Sequence, residues 1–289
     1  MSELIVTLVS GVASGAVYGL MGLGLVIIYR ATDVVNFALG SMALMAVYLA
    51  AGFHDAGVPL ALALGIGILA CSAGGVVARE ALIRPLGPGQ LFSALVVTMG
   101  LSLIVDDVTR QIWGSEPQTF PQLVGGDIRI AGSAYEYQQL LTIAVAAVAM
   151  LAVAYLFKRT PLGSAMRAVA ESSDTARLLG VRPQRVALVA WALGMGLAAL
   201  GAALIAPSVG LTVGGLSGAL FRAFAGIFLG GLTSMYGAVI GGVTVGILDN
   251  LAATYVSASF RDTVVFSVII AVLLVKPEGM FGQRTFARV

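Results

Sequence analysis

The chain has 289 residues, 59% hydrophobic and only 10% charged, with a formal net charge of +2. Its mean hydropathy is +1.00; ordinary soluble domains carry about 25% charged residues, so a soluble domain is excluded and lipid is the expected solvent. The small net charge and the lack of a basic run leave no nucleic-acid partner expected, and the lone cysteine, Cys71, excludes an intrachain disulfide or a CxxC site.

A spanning helix needs roughly 20 predominantly apolar residues. The first uncharged run, 4–29, follows Met1-Ser2-Glu3 with no basic residue before it. It is longer than the roughly 7–15 residues of a signal-peptide core and reads as a retained span. Further segments are expected near 36–53, 58–78, 88–106, 137–157, 187–206, 217–234, 237–256 and 262–276. Those at 36–53 and 217–234 are short, so either can be broken or cross only in part. The expected fold class is all-α, a polytopic transmembrane helical bundle of 8–9 membrane segments, forming a single transmembrane domain over 1–289 with no soluble domain.

Glycine is abundant, at 37 residues. Each interior glycine costs a soluble helix about 0.8–1 kcal/mol, whereas membrane helices use small residues for close backbone approach. The spacings Gly11-xxx-Gly15-xxx-Gly19, Gly226-xxx-Gly230, Gly237-xxx-Gly241 and Gly242-xxx-Gly246 are read as close helix packing.

Lys and Arg accumulate on the cytoplasmic side of membrane proteins. The connection at 158–185 holds Lys158, Arg159, Arg167, Arg177, Arg182 and Arg185, the 79–84 stretch adds Arg79 and Arg84, and the tail adds Lys276, Arg284 and Arg288. The connection at 106–136 sets only Arg110 and Arg129 against Asp106, Asp107, Glu116, Asp127 and Glu136. The 158–185 loop and the C-terminus are therefore expected in the cytoplasm, with 106–136 outside. The N-terminus is external if every segment crosses. At the outer surface Asp106, Asp107 and Arg110 have the spacing of a local helical cluster.

The 158–185 connection reads as two short helices. The first is expected over about 164–171, with Arg167 and Glu171 as an i, i+4 pair. Ser172 or Ser173 can cap a second, which Gly180 ends, with Pro183 beyond. Ala165, Met166 and Val169 make one small apolar face, and Ala176, Leu178 and Leu179 another. By pattern alone this is either an ordinary amphipathic loop or an element that docks into a partner's groove.

Catalytic signatures are absent from the sequence. There is no GxxxxGK[ST] phosphate loop, and the single histidine, His54, rules out HExxH and leaves a GxSxG nucleophile with hardly a partner. No metal site and no catalytic residue are expected, so the chain is not read as an enzyme, and any ATP hydrolysis must come from another subunit.

The loop Thr160–Pro183 resembles the coupling loop of ABC importer permeases, in the RAxAxxxxxAxLLGV form of the branched-chain amino acid permease family. Asn36-Phe-Ala-Leu-Gly40 resembles the NFAxG motif of that family. So do Phe221-Arg-Ala-Phe, Leu229-Gly-Gly-Leu-Thr-Ser-Met-Tyr-Gly, Arg261-Asp262 and Lys276-Pro-Glu-Gly-Met-Phe-Gly282. These blocks lie in the family's order over nearly the whole chain and are most like the H-type (LivH-like) subunit. The resemblance implies a multi-pass subunit of a bacterial-type plasma (inner) membrane. Its partners would be a second homologous permease, two cytoplasmic ATPases that bind ATP and magnesium, and an external (periplasmic) substrate-binding protein. No cofactor is implied in this chain.

It also implies that Arg167, Ala170, Glu171, Ala176, Leu179 and Gly180 couple to the ATPase, and that Asn36 and Phe37 border the translocation pathway. Asp249-Asn250 lies within a membrane segment, where polar residues are costly and by default functional, near a position where the family has an acidic residue. Asp249 is expected either to line the pathway or to face a helix interface, protonated or hydrogen-bonded. The cargo implied is a branched-chain or related amino acid. Relatives that carry urea or short amides, and an ion-coupled secondary transporter using Asp249, are the alternatives.

Overall fold

The computed structural model describes residues 2–87, 89–130, 133–276 and 279–282; Arg284 and Arg288 of the basic tail lie outside the described residues. In chain order the helices are α1 (Ser2–Thr32), α2 (Leu39–Asp55), α3 (Leu60–Ala78), α4 (Leu91–Trp113), α5 (Tyr137–Arg159), α6 (Pro161–Glu171), α7 (Ser173–Leu178), α8 (Pro183–Val209), α9 (Ser217–Gly230), α10 (Met235–Tyr255) and α11 (Arg261–Val275). A π turn at Arg79–Ile83 and a 3-10 turn at Arg84–Leu86 prolong α3, and a 3-10 turn at Ala258–Phe260 precedes α11.

The fold is all-α and polytopic. Among the described residues, seven helices are long and apolar enough to cross a bilayer: Glu3–Thr32, Leu60–Leu86, Leu91–Trp113, Tyr137–Arg159, Pro183–Val209, Met235–Tyr255 and Ala258–Val275. The expected eight to nine thus resolve into seven full-length spans and two short helices. α2 has 17 residues and α9 has 14. At 1.5 Å per residue these reach about 25 Å and 21 Å, short of the ~30 Å hydrocarbon core. Among the described residues one element is not helical: a two-stranded antiparallel ribbon, β1 (Asp127–Ile130) with β2 (Ser133–Glu136), pairs Asp127 with Glu136 in the connection before α5.

The chain divides into two compact units. The first comprises Met1–Val26, Val124–Ala147 and Gly218–Val289, and its helices are sealed by the predicted glycines. A Cβ on Gly15 would stand 2.6 Å from Val243 Cα, and one on Gly226 would stand 2.7 Å from the Gly242 nitrogen. On Gly230 it would run into the Gly237 carbonyl, on Gly241 into that of Gly226, and on Gly246 into the Gly15 backbone. All four predicted spacings are therefore used inside the chain, bringing α10 against α1 and α9 at backbone contact. The chain after α11 returns to α9: Met280 N–H donates to the Leu229 carbonyl at 2.8 Å, and Phe281 N–H to that of Gly230 at 3.0 Å. These bonds satisfy carbonyls that the end of a helix leaves free.

The second unit comprises Ile27–Leu123 and Val148–Ser217. Here α2, α3 and α8 pack on one another, and α4 packs on α2. Its centre holds the fully buried Trp191, Tyr48, Leu39 and Met195. Small residues again set the spacing, with Gly67 against the Ala46 carbonyl and Gly75 against Met195.

Candidate functional site

Three groups of predicted residues acquire a geometry. The first is the α6–α7 element. Helix α6 begins at Pro161, three residues earlier than the sequence suggested, because Thr160 Oγ1 caps it by accepting the Gly163 N–H at 3.1 Å and proline suits the first helical position. Arg167 donates to Ser164 Oγ at 3.1 Å, one turn back, and does not form the expected pair with Glu171. Ser172 caps α7 through the Thr175 N–H at 3.2 Å. At its far end Gly180 has φ +82°. The Val181 N–H reaches the Ala176 carbonyl, and the Gly180 N–H that of Arg177, each at 3.0 Å. This pair of bonds is the Schellman closure, in which glycine removes the penalty for a left-handed residue.

Those caps decide what faces outward. Met166, Val169 and Ala176 turn inward and are buried, whereas Leu178 is 89% exposed and Leu179 76% exposed. The apolar face expected from Ala176, Leu178 and Leu179 is thus divided. Arg167, Glu171 and Gly180 share the exposed surface, and Ala170 is half-buried. Two adjacent, projecting leucines beside charged residues form a knob on this surface.

The second group surrounds Asn36. Between α1 and α2 the chain leaves helical geometry over residues 33–38, yet Val34, Asn36 and Ala38 are buried. Buried irregular backbone needs internal partners. Asn36 Oδ1 accepts the Ala38 N–H at 3.0 Å, and Asn36 Nδ2 donates to Met195 Sδ at 3.3 Å. Asn36 therefore closes a turn two residues ahead of the α2 N-cap and is not the cap itself; Ala38 occupies that position without a side-chain bond. Thr98 Oγ1 donates to the Val35 carbonyl at 3.3 Å, and Trp191 Nε1 to Thr32 Oγ1 at 3.4 Å. Phe37, the next residue of the motif, is half-buried.

The third group is built on Asp249, which is completely buried. Arg261 approaches its carboxylate with two nitrogens, Nε on Oδ1 and Nη2 on Oδ2. Arg222 Nε adds a bond to Oδ1 at 3.0 Å, and Tyr18 Oη donates to Oδ2 at 3.1 Å. Arg222 also reaches the exposed Asp262. Two arginines thus meet two aspartates, so the cluster is neutral, and α1, α9, α10 and α11 each contribute. Asp249 thus faces a helix interface and is hydrogen-bonded there, one of the alternatives considered from sequence, with two arginines among its partners. Neighbouring Asn250 turns away, donating to the Gly246 carbonyl of its own helix at 2.9 Å.

Sequence reasoning did not name Arg222, Arg261 or Tyr18 as partners of Asp249. The signal was present, since Arg222 interrupts a long uncharged stretch and Arg261 belongs to a quoted motif. A lone arginine and a lone aspartate in apolar surroundings imply one another.

The family described as "Branched-chain amino acid transport system / permease component" matches residues 7–275. The chain belongs to this family. Among curated relatives, the high-affinity branched-chain amino acid transport system permease protein LivH of Salmonella typhimurium is 29% identical, covering 97% of this chain and 96% of its own. LivH of Escherichia coli has the same identity and coverage. The corresponding permease protein BraD of Pseudomonas aeruginosa is 27% identical, covering 98% of this chain and 97% of its own. Among solved structures, a chain of PsaBC from Streptococcus pneumoniae in complex with Fab aligns with a TM-score of 0.50 and 13% identity, over 94% of this chain and 91% of that one. That last likeness is one of fold alone.

As a permease component of the branched-chain family, the chain meets three separate demands with the three groups above. α6–α7 offers a contact surface at the end of a long span. The Asn36 turn fixes a helix break. The Asp249 cluster joins four helices without net charge.

Proposed function

We propose that the chain is the membrane-spanning permease subunit of an ATP-binding-cassette importer for branched-chain or related amino acids. The observation that carries this reading is the full-length likeness to permeases named for high-affinity branched-chain amino acid transport. On this reading the whole chain is one transmembrane domain. It pairs with a second homologous permease and receives cargo from an external binding protein. Two cytoplasmic ATPases, which bind ATP and magnesium, drive it.

Energy then enters through α6–α7. Leu178 and Leu179 insert into a groove of the ATPase, Arg167 and Glu171 set the register, Ala170 and Ala176 permit close approach, and Gly180 holds the turn that presents the knob. The cluster Lys158, Arg159, Arg167, Arg177, Arg182 and Arg185 favours a cytoplasmic location for this element. An external connection between α4 and α5 follows by alternation, and a cytoplasmic C-terminus follows if the short α9, with the chain leading into it, completes a crossing. Asn36 and Phe37 border the pathway where the helix is broken, as discontinuous helices do in other transporters. Asp249 and Asn250, on α10, are assigned to the same pathway.

The test is uptake into proteoliposomes that contain both permeases, the ATPases and the binding protein. Leucine uptake that vanadate abolishes and an uncoupler leaves untouched is the expected result. Uptake that follows the ion gradient and ignores vanadate would overturn the mechanism. Transport of urea or a short amide in place of leucine would reassign the cargo.

A further inference from the structure

Helix α4 carries a polar stripe of which the roles above use only Thr98. Thr98, Ser102, Asp106, Thr109 and Trp113 recur every three or four residues and so share one face. That face meets α2. Thr98 reaches the Val35 carbonyl, the Ser41 and Ser102 hydroxyls lie 2.8 Å apart, and the Tyr48 and Trp113 rings are 5.6 Å apart at 37°. Pairings that climb together, 35 with 98, 41 with 102 and 48 with 113, mean that the two helices run parallel.

Near one end of this seam the bonding stops. Tyr48 is fully buried, and its hydroxyl has no hydrogen-bond partner. Asp106 Oδ1 is shut away from solvent and likewise has none. The neighbouring Asp107 is served from outside the seam, by Arg110 at 3.7 Å and by Gln111 Nε2 at 2.8 Å. The local cluster expected of Asp106, Asp107 and Arg110 therefore splits, and the arginine goes to Asp107 alone.

At 1.5 Å per residue, Asp106 stands about 6 Å beyond Ser102 and Tyr48 about 10 Å beyond Ser41. A helical tyrosine leans back toward the start of its helix, which returns its hydroxyl toward the level of Asp106. An unsatisfied buried donor or acceptor costs on the order of 1–3 kcal/mol, more where charged. Within a bilayer no bulk water makes up that loss.

We propose that Tyr48 and Asp106, on the facing sides of the α2–α4 seam, form a cargo subsite that takes the charged ends of an α-amino acid in transit. The Asp106 carboxylate accepts from the α-ammonium, and the Tyr48 hydroxyl donates to the α-carboxylate. An unneutralised carboxylate calls for a cation, which a zwitterionic amino acid supplies and a neutral amide does not. The proposal rests on the importer reading above and narrows its cargo to compounds with a free ammonium group. With α4 running outward as proposed, the subsite lies in the outer half of the membrane, where released cargo would first enter.

The test uses the complete transporter in proteoliposomes, with leucine-loaded binding protein at saturation and Tyr48→Phe, Asp106→Asn and Asp106→Glu permease variants. Maximal leucine uptake should fall about tenfold in the first two, equivalent to about 1.4 kcal/mol, and recover in part in Asp106→Glu. The first two should melt no lower than the parent, because Tyr48→Phe removes an unpaired hydroxyl and Asp106→Asn an unpaired charge, each with the side-chain shape kept. Unchanged uptake in both would overturn the proposal. So would a lowered melting temperature with uptake lost in proportion to folded protein, since that pattern marks a structural bond. Parent vesicles that take up no leucine would instead refute the importer reading, independently of the variants.

Discussion

Arg261 grips both oxygens of Asp249 across the junction of α10 and α11, and the carboxylate it holds has no exposed surface. Arg222 and Tyr18 complete the ring. Breaking a buried pair by deleting one partner costs about 3–5 kcal/mol, because a buried charge is left uncompensated. Asp249→Ala, which strands the Arg261 guanidinium and leaves Arg222 only the exposed Asp262, should therefore lower the detergent melting temperature sharply and cut the yield of assembled protein. The exchange Asp249→Arg with Arg261→Asp should recover part of that loss, as measured by the same melts. A variant Asp249→Ala that melts like the parent would show that the ring contributes nothing to the fold.

The glycine seam allows a controlled comparison. At Gly241 a methyl group meets the Gly226 carbonyl, whereas at Gly100 on α4 nothing lies within 4 Å. Gly241→Ala should destabilise by at least about 1–3 kcal/mol through overpacking. Gly100→Ala removes a helix-interior glycine without a clash and should stabilise by up to about 1 kcal/mol. Paired thermal melts in detergent check the signs, which must be opposite.

Asn36 performs two bonds that one substitution can separate. Asn36→Asp keeps the acceptor for the Ala38 N–H but loses the donor to Met195 Sδ, whereas Asn36→Ala loses both. Each bond is worth about 0.5–1.5 kcal/mol. With the aspartate neutral, stability should therefore fall from the parent through Asn36→Asp to Asn36→Ala. Since the side chain is fully buried, the aspartate is expected to protonate in place. Melts of Asn36→Asp at pH 5 and pH 8, with greater stability on the acid side, check this; the signs follow because a buried carboxyl is charged only at a cost.

Much of this arrangement was legible in the sequence, and the reasons differ by element. The long spans were readable because lipid demands unbroken apolar runs, and the glycine seams because their spacing matches one helix face. Ser172 and Gly180 announced the limits of α7 through cap chemistry that is local in sequence. The partners of Asp249 were not readable in the same way. Arg222 and Arg261 lie 27 and 12 residues away, so only packing could select them over other charges. Thr160 was missed because Pro161-Leu-Gly looks like a break, although proline begins a helix as readily as it precedes one. The outward turn of Leu178 and Leu179 was likewise hidden, since a short apolar cluster reads as buried until its surroundings are known.

That outward turn makes the proposed coupling element separable from the fold. Leu178 and Leu179 touch little of their own chain, so replacing them with aspartate removes apolar surface from water and leaves internal packing nearly intact. Surface substitutions of this kind usually shift stability by about 0.5 kcal/mol or less. Leu178→Asp with Leu179→Asp should thus melt like the parent. In the assembled transporter, however, the variant should lose ATP-driven leucine uptake by an order of magnitude or more, because a groove built for leucine rejects two carboxylates at a cost of about 1.5–3 kcal/mol for each lost apolar side chain. Glu171→Arg with Gly180→Trp attacks the same surface through charge and turn geometry. At φ +82° any residue with a Cβ is strained by about 1–2 kcal/mol, so the knob is displaced. Copurification of the ATPase with each variant, measured beside uptake, reads the contact directly. Full uptake and full ATPase recovery in both double variants would remove α6–α7 from the coupling path.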